Sequence, residues 1–312
     1  MRRSGDDRRV VQAAASIAVT VALLAWVVTR LDRHALASEL GAVRPAWLLL
    51  AAALGPLQVA LAAERWRVAC RRLGQPLARR RAVTEVALSN LLNQLLPGGI
   101  AGDAIRAWRA HGGPAAAAPD TAPSPVGLAA SVRAVLADRM VGLMVHMAVV
   151  AAGLAGWLSL HDAPLPPGAV PVALIVALGL AGLVLAPRAL PGVGGLGADL
   201  RRILGHPPTA ARAVLLSALS TGSFLLGFAL CAQALGSSLG AAAFTAVPLV
   251  LLSMAVPIGF AGWGLREATA AAVLPRLGWS LEAAVALSAC YGLSVLIGAL
   301  PGAVVPMLPG ER

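Results

Sequence analysis

Lysine is absent: all 25 basic residues of the 312-residue chain are arginine. Charge of either sign is scarce at 12%, and aromatic residues make up only 4%. The three cysteines, Cys70, Cys231 and Cys290, form no CxxC pair, and the five histidines form no HxxxH or HExxH pattern. These shortages exclude a disulfide framework and a metal centre. A GxxxxGK[ST] loop is also missing, which excludes direct drive by ATP through a P-loop. No motif calls for a cofactor, and none is expected. So few charges, with 58% hydrophobic residues and a mean hydropathy of +0.79, also exclude an ordinary soluble domain. A polytopic membrane protein is what remains.

In a soluble chain the net charge of +11 would suggest nucleic acid, but here the arginines fall between apolar runs, where topology signals sit. No nucleic-acid partner is expected. A hydrocarbon core of about 30 Å needs about 20 apolar helical residues. Six stretches meet that length, at 10–29, 45–63, 140–160, 168–187, 213–235 and 282–305. Two more, 82–110 and 241–275, are interrupted at their centres by proline and glycine, which predicts broken helices or re-entrant hairpins. The expected fold is therefore all-α: a polytopic helix bundle, one integral membrane domain over 1–312, with about six full spans and two broken hairpins in halves of about 1–160 and 161–312. Counting arginines under the positive-inside rule leaves only Arg30, Arg33, Arg44, Arg266 and Arg276 outside. Both termini are then cytoplasmic and the protein is a multi-pass component of the cell membrane. Residues 34–47 read as an interfacial helix, and 111–126 as a flexible linker rich in proline and alanine.

The two interrupted stretches echo each other. "PGGIAGDAIR" (97–106) and "PIGFAGWGLR" (257–266) share Pro97 with Pro257, Gly99 with Gly259, Ala101 with Ala261, Gly102 with Gly262 and Arg106 with Arg266, always 160 residues apart. Three full spans lie between them, so the copies would enter the membrane from opposite faces. Paired, Gly/Pro-broken segments in an inverted repeat are the pattern of a transporter's binding site near the bilayer midplane. Proline and glycine would stop the first helix and restart it near Gly102, leaving N–H groups and a positive dipole end for an anion. Arg106, one turn from Asp103 and on the same face, suits a phosphate, and Glu267 beside Arg266 supplies the countercharge in the second copy. The candidate substrate-binding residues are thus Asp103, Arg106, Arg266, Glu267, Gly99, Gly102, Gly259 and Gly262. A plainer reading makes Asp103–Arg106 and Arg266–Glu267 structural ion pairs that satisfy each other inside the membrane.

Elsewhere, His146 reads as a hydrogen-bonded bundle residue or a proton carrier. Ser217, Ser220, Thr221 and Ser223 suit close helix packing, and Gly298 with Gly302 gives a GxxxG spacing interrupted by Pro301. Trp26, Trp47, Trp157 and Trp279 fall near span ends, where interfacial belts lie.

"LPGGIAGDAIRA" and "PIGFAGWGLREA" resemble two elements of the lysylphosphatidylglycerol synthase transmembrane region, the flippase-like domain family. "ERW" (64–66), "SVRAVLADRMVGLM" (131–144) and "LPGAVVPML" near the end are similar to it as well. Asp103 stands where the family has Glu, and Ala261 where it has Gly. The chain ends before any aminoacyltransferase domain, so lysine transfer is not expected of it, and catalytic residues are not assigned. The resemblance implies a flippase-like protein that binds a membrane lipid with an anionic, phosphate-bearing headgroup and moves it between leaflets, downhill or coupled to an ion. The alternative is a membrane enzyme, or a non-catalytic subunit, acting on phospholipid- or polyprenyl-phosphate-linked substrates in envelope biogenesis. A homo-oligomer or an envelope-pathway partner is compatible with either.

Overall fold

The computed structural model describes residues 3–97, 99–112, 127–160, 174, 177, 178, 181, 195–256 and 262–307. The described elements are helical. In chain order they are α1 (Arg3–Val28), α2 (Arg33–Gly41), α3 (Pro45–Ala52), α4 (Gly55–Arg72), α5 (Arg79–Leu95), α6 (Ala101–Ala110) and α7 (Leu128–Leu160). Then follow α8 (Leu196–Leu204), α9 (Pro207–Ala234), α10 (Ala242–Thr245), α11 (Val247–Leu252), α12 (Leu265–Val273) and α13 (Leu281–Ala299), with 3-10 turns at Ser253–Ala255, Leu274–Leu277 and Leu300–Met307.

Helix starts follow local chemistry. Asp32 caps α2 by accepting the His34 and Ala35 N–H groups at 2.8 and 3.4 Å, and Ser280 caps α13 through the Ala283 N–H at 3.0 Å. Prolines open α3, α4 and α9, where a missing N–H costs nothing. Four stretches among the described residues are long and apolar enough to cross a membrane: Pro45–Arg72, Leu128–Ser159, Pro207–Ala234 and Leu281–Val305. Shorter apolar helices are Ile17–Val28 and Ala242–Ala255. The expected span at 168–187 lies largely outside the described residues; Leu174, Ala177, Leu178 and Ala181 within it are helical. The expected linker lies outside them beyond Gly112.

Two boundaries differ from the sequence reading. The segment 34–47 is not one helix: α2 ends at Gly41, and Pro45 starts α3, because a proline disfavours the helical region for the residue before it; Arg44 is extended. The second expected span, set to end at residue 63, continues as helix through Arg72, so Arg65 and Arg67 point into the bundle and each finds a carboxylate.

Helix α9 is the centre of the bundle, packing against α3, α4, α7 and α13. Its polar run supports close packing: Ser217 and Ser223 are buried and donate to the Ala213 and Ser220 carbonyls at 2.8 and 2.7 Å. Small residues set the other close approaches, as they do where helices associate without a hydrophobic driving force. Gly55 of α4 lies directly against the backbone of Gly298, and Gly302 lies against the Ala87 carbonyl of α5. The Gly298/Gly302 spacing is therefore spent inside the molecule. Trp157 is fully buried in the main core with Phe228, Leu252 and Leu287, a correction to its expected interfacial place.

Candidate functional site

Pro97 and Gly99 divide α5 from α6 as expected. Leu96, before the proline, is extended, and Gly99 has φ +62°, a left-handed value suited to glycine. The chain folds back so that α6 docks on α5. Gly102 permits this: a Cβ there would overlap the Ser89 carbonyl. The Gly102 N–H was expected to be free for an anion, but it donates to Asn93 Oδ1 at 2.8 Å. A side chain one helix back thus takes the donor that the helix start leaves over.

The hairpin places a ring of charge among α4, α5, α6 and α7. Asp103 Oδ1 is 3.0 Å from Arg106 Nη2 and accepts from Ser89 Oγ at 3.3 Å. Its Oδ2 accepts from Asn93 Nδ2 at 3.2 Å and pairs with Arg139 of α7. Arg106 also reaches Asp138 Oδ2 at 3.5 Å, and Asp138 Oδ1 takes the Arg65 Nε at 2.8 Å. Three guanidinium groups (Arg65, Arg106, Arg139) face two carboxylates (Asp103, Asp138), so the ring carries one excess positive charge. Arg106 and Asp138 are almost fully buried, while the Arg139 side chain is 49% exposed. Beside the ring, Arg109 Nε donates to both oxygens of buried Glu85 at 2.8 and 2.9 Å.

The second motif builds a tighter arrangement. Pro257, Gly259 and Ala261 lie outside the described residues; Gly262 and Gly264 have φ +79° and +85°. Helix α12 then starts, and Glu267 Oε2 accepts the Gly264 N–H at 2.7 Å. The other oxygen, Oε1, accepts from Arg266 Nη2 at 2.6 Å and from Ser288 Oγ of α13 at 3.0 Å. Arg266 is fully buried. Glycine at 292 is required for this, because a Cβ there would overlap the Arg266 guanidinium.

The two motifs share a local grammar. Each arginine is paired with a carboxylate on its own helix and lies over a tryptophan, Arg106 over Trp66 at 4.6 Å and Arg266 over Trp263 at 4.9 Å. Three buried side-chain polar atoms among the described residues lack a hydrogen-bond partner, and two belong to these arginines: Arg106 Nε, Arg266 Nη1 and Trp66 Nε1. Such atoms are uncommon in native interiors. They differ in balance, since the first ring is net positive and reaches the surface through Arg139, whereas the second pair is neutral and sealed. Among the described residues no hydrogen bond or ion pair joins Asp103 or Arg106 to Arg266 or Glu267.

Reasoning from the motifs missed Trp66, Arg65, Asp138, Arg139, Ser89, Asn93 and Ser288. A signal was present for two of them: Ser89 and Asn93 recur with Glu85 every four residues, a polar row along one face of α5. His146 is part-buried, with Nε2 3.0 Å from the Pro248 carbonyl, which fits the bundle reading.

Comparisons with known proteins now bear on this geometry. Neither the curated proteins nor the solved structures yield a match. The family model described as the lysylphosphatidylglycerol synthase TM region matches residues 13–302, nearly the whole chain and both motifs. The chain belongs to that family, a multi-pass membrane protein family tied to lipid-related processes.

Proposed function

We propose that the protein is a flippase-like membrane protein that binds a phosphate-bearing lipid and carries it between leaflets, with Asp103 and Arg106 in one half and Arg266 and Glu267 in the other as the substrate-binding pairs. The observation that carries this reading is the excess positive charge of the Arg65–Arg106–Arg139 ring. Arg65 and Arg106 are paired with carboxylates inside the bundle, so the excess charge falls to the half-exposed Arg139, where an anionic ligand would meet it. Arg139 is the point of entry: half exposed and bonded to Asp103, it exchanges that carboxylate for a phosphate oxygen. A guanidinium fork matches phosphate in the same way. Asp103 then holds Arg106 in place, while Gly99 and Gly102 shape the turn in front of it and Gly262 takes the matching place in the second motif. The inverted-repeat relation between the motifs would let one half rock against the other around the bound headgroup.

Reconstitution into vesicles with a panel of labelled lipids tests the proposal. Exchange of anionic phospholipid between leaflets, lost in Arg139→Gln with folding intact, is the expected result. Conversion of the lipid to a new product without exchange would replace the reading with that of a membrane enzyme, and neither exchange nor conversion would leave an accessory subunit.

A further inference from the structure

The end of α1, the last turn of α12 with the 3-10 turn after it, and the start of α13 line an open pocket of about 240 Å³. Its apolar wall is made by Trp26, Val27, Ala271, Ala272 and Leu281, and two arginines, Arg30 and Arg276, line it as well. Inside the bundle Arg65, Arg106, Arg109, Arg133, Arg139 and Arg266 each meet a carboxylate, while exposed arginines such as Arg72 and Arg81 bond backbone carbonyls. Arg30 and Arg276 form no ion pair among the described residues. Arg30 lies over the Trp26 ring at 4.5 Å, and Arg276 donates to the Ala272 carbonyl of its own helix. Both side chains are exposed, and these single contacts leave most of their N–H donors to water or to a ligand. Two acids close by in the chain accept backbone N–H groups, Asp32 from His34 at 2.8 Å and Glu282 from Asp32 at 3.1 Å.

Two exposed guanidinium groups on one pocket repel each other only weakly through water, and a phosphate that meets both gains a charge-assisted bond from each. The apolar wall, and the exposure of Trp26 (46%) and Val28 (47%) on a membrane helix, give that anion a greasy neighbour. We infer that this pocket is a second, peripheral binding site for a phosphate-bearing lipid, with the phosphate bridging Arg30 and Arg276 and the glycerol and upper chain lying on Trp26 and Val27. A guanidinium fork matches a phosphate oxygen pair, and tryptophan suits the level of the headgroups.

The site is tested by binding, not exchange, so its fate is separate from that of the transport proposal. The full chain in lipid nanodiscs is labelled with a photoactivatable phosphatidylglycerol, and the adducts are mapped. Adducts within 26–30 and 271–281 are expected, reduced roughly tenfold in Arg30→Gln/Arg276→Gln, since each lost charge-assisted contact removes a strong bond. Ala271→Leu, which fills the pocket and keeps both charges, should reduce labelling to a similar extent. Thermal unfolding confirms that each variant is folded; should the double glutamine variant misfold, Arg30→Glu alone serves in its place. Undiminished labelling in a folded variant overturns the inference. So does equal labelling by a photoactivatable diacylglycerol, which lacks the phosphate, and so does complete competition by inorganic phosphate, which would make the occupant a free anion.

Discussion

The guanidinium of Arg106 lies 4.6 Å from the centre of the Trp66 ring, and each of the two side chains keeps one buried nitrogen without a hydrogen-bond partner. Trp66 sits on α4 and Arg106 on α6, so this contact ties the broken segment to the first long span. The ring face offers a desolvated cation part of what water would give it, while the walls exclude water itself. Trp66→Ala should therefore cost about 3–5 kcal/mol from lost packing and release Arg106 from its position. Trp66→Phe keeps a ring face and removes an unpaired donor, so its cost should be about 1 kcal/mol or less. Thermal unfolding in detergent separates them, and equal losses would show that Trp66 acts through its bulk alone.

A graded series across the charge ring tests its balance. Asp103→Asn leaves three arginines facing Asp138 alone and should cost about 3–5 kcal/mol, as expected when one partner of a buried pair is removed. Arg139→Gln removes the excess charge from a half-exposed site and should leave the fold close to wild type. Lipid exchange per folded molecule should nonetheless fall by about one to two orders of magnitude, since a hydrogen bond to a charged group is worth about 1.5–3 kcal/mol. Unchanged exchange in Arg139→Gln would remove Arg139 from the lipid's path.

Much of this arrangement was legible in the sequence because the bilayer narrows the choices: helix is the only open-ended element that satisfies its backbone in hydrocarbon. Pro97 and Gly99 announced the break, and the (i, i+3) spacing of Asp103 and Arg106 placed them on one face. The partners from α4 and α7 were not legible, because Arg65 and Asp138 lie 73 residues apart and meet only once the spans have packed. Nor was the role of Gly102: close approach to Ser89 and exposure of an N–H both call for glycine, and only the placement of Asn93 decides between them.

The glycines of the first motif should consequently differ in their sensitivity. Gly99 has space around it and only its left-handed backbone to protect, so Gly99→Ala should cost about 1 kcal/mol. Gly102→Ala places a methyl group on the Ser89 carbonyl and should separate α6 from α5, with a loss of several kcal/mol. Both are measured as apparent Tm against wild type. Similar losses at the two positions would mean that the hairpin yields more readily than its packing implies.

Orientation is open to labelling. The native cysteines are buried, so a single cysteine at Asp120 or Ser238 reports cleanly in a background with all three replaced by alanine or serine. Asp120→Cys should react only from the cytoplasmic side and Ser238→Cys only from outside. Labelling of both from one side of intact cells would put an even number of crossings between them and remove the inverted relation of the two motifs.

The sealed second pair distinguishes a scaffold from a ligand site. Arg266→Gln leaves Glu267 buried with only the Gly264 N–H and Ser288 as partners, and should cost about 3–5 kcal/mol. Arg266→Gln/Glu267→Gln removes both charges and should recover most of that stability, because glutamine at 267 can still accept from Gly264. Exchange measured per folded molecule then gives the decision. If the two halves share the headgroup, the double variant is stable and inactive, since it offers a phosphate no guanidinium. If it is stable and active, the Arg266–Glu267 pair is a structural clasp for α12 on α13, and the lipid depends on the Arg106 ring alone.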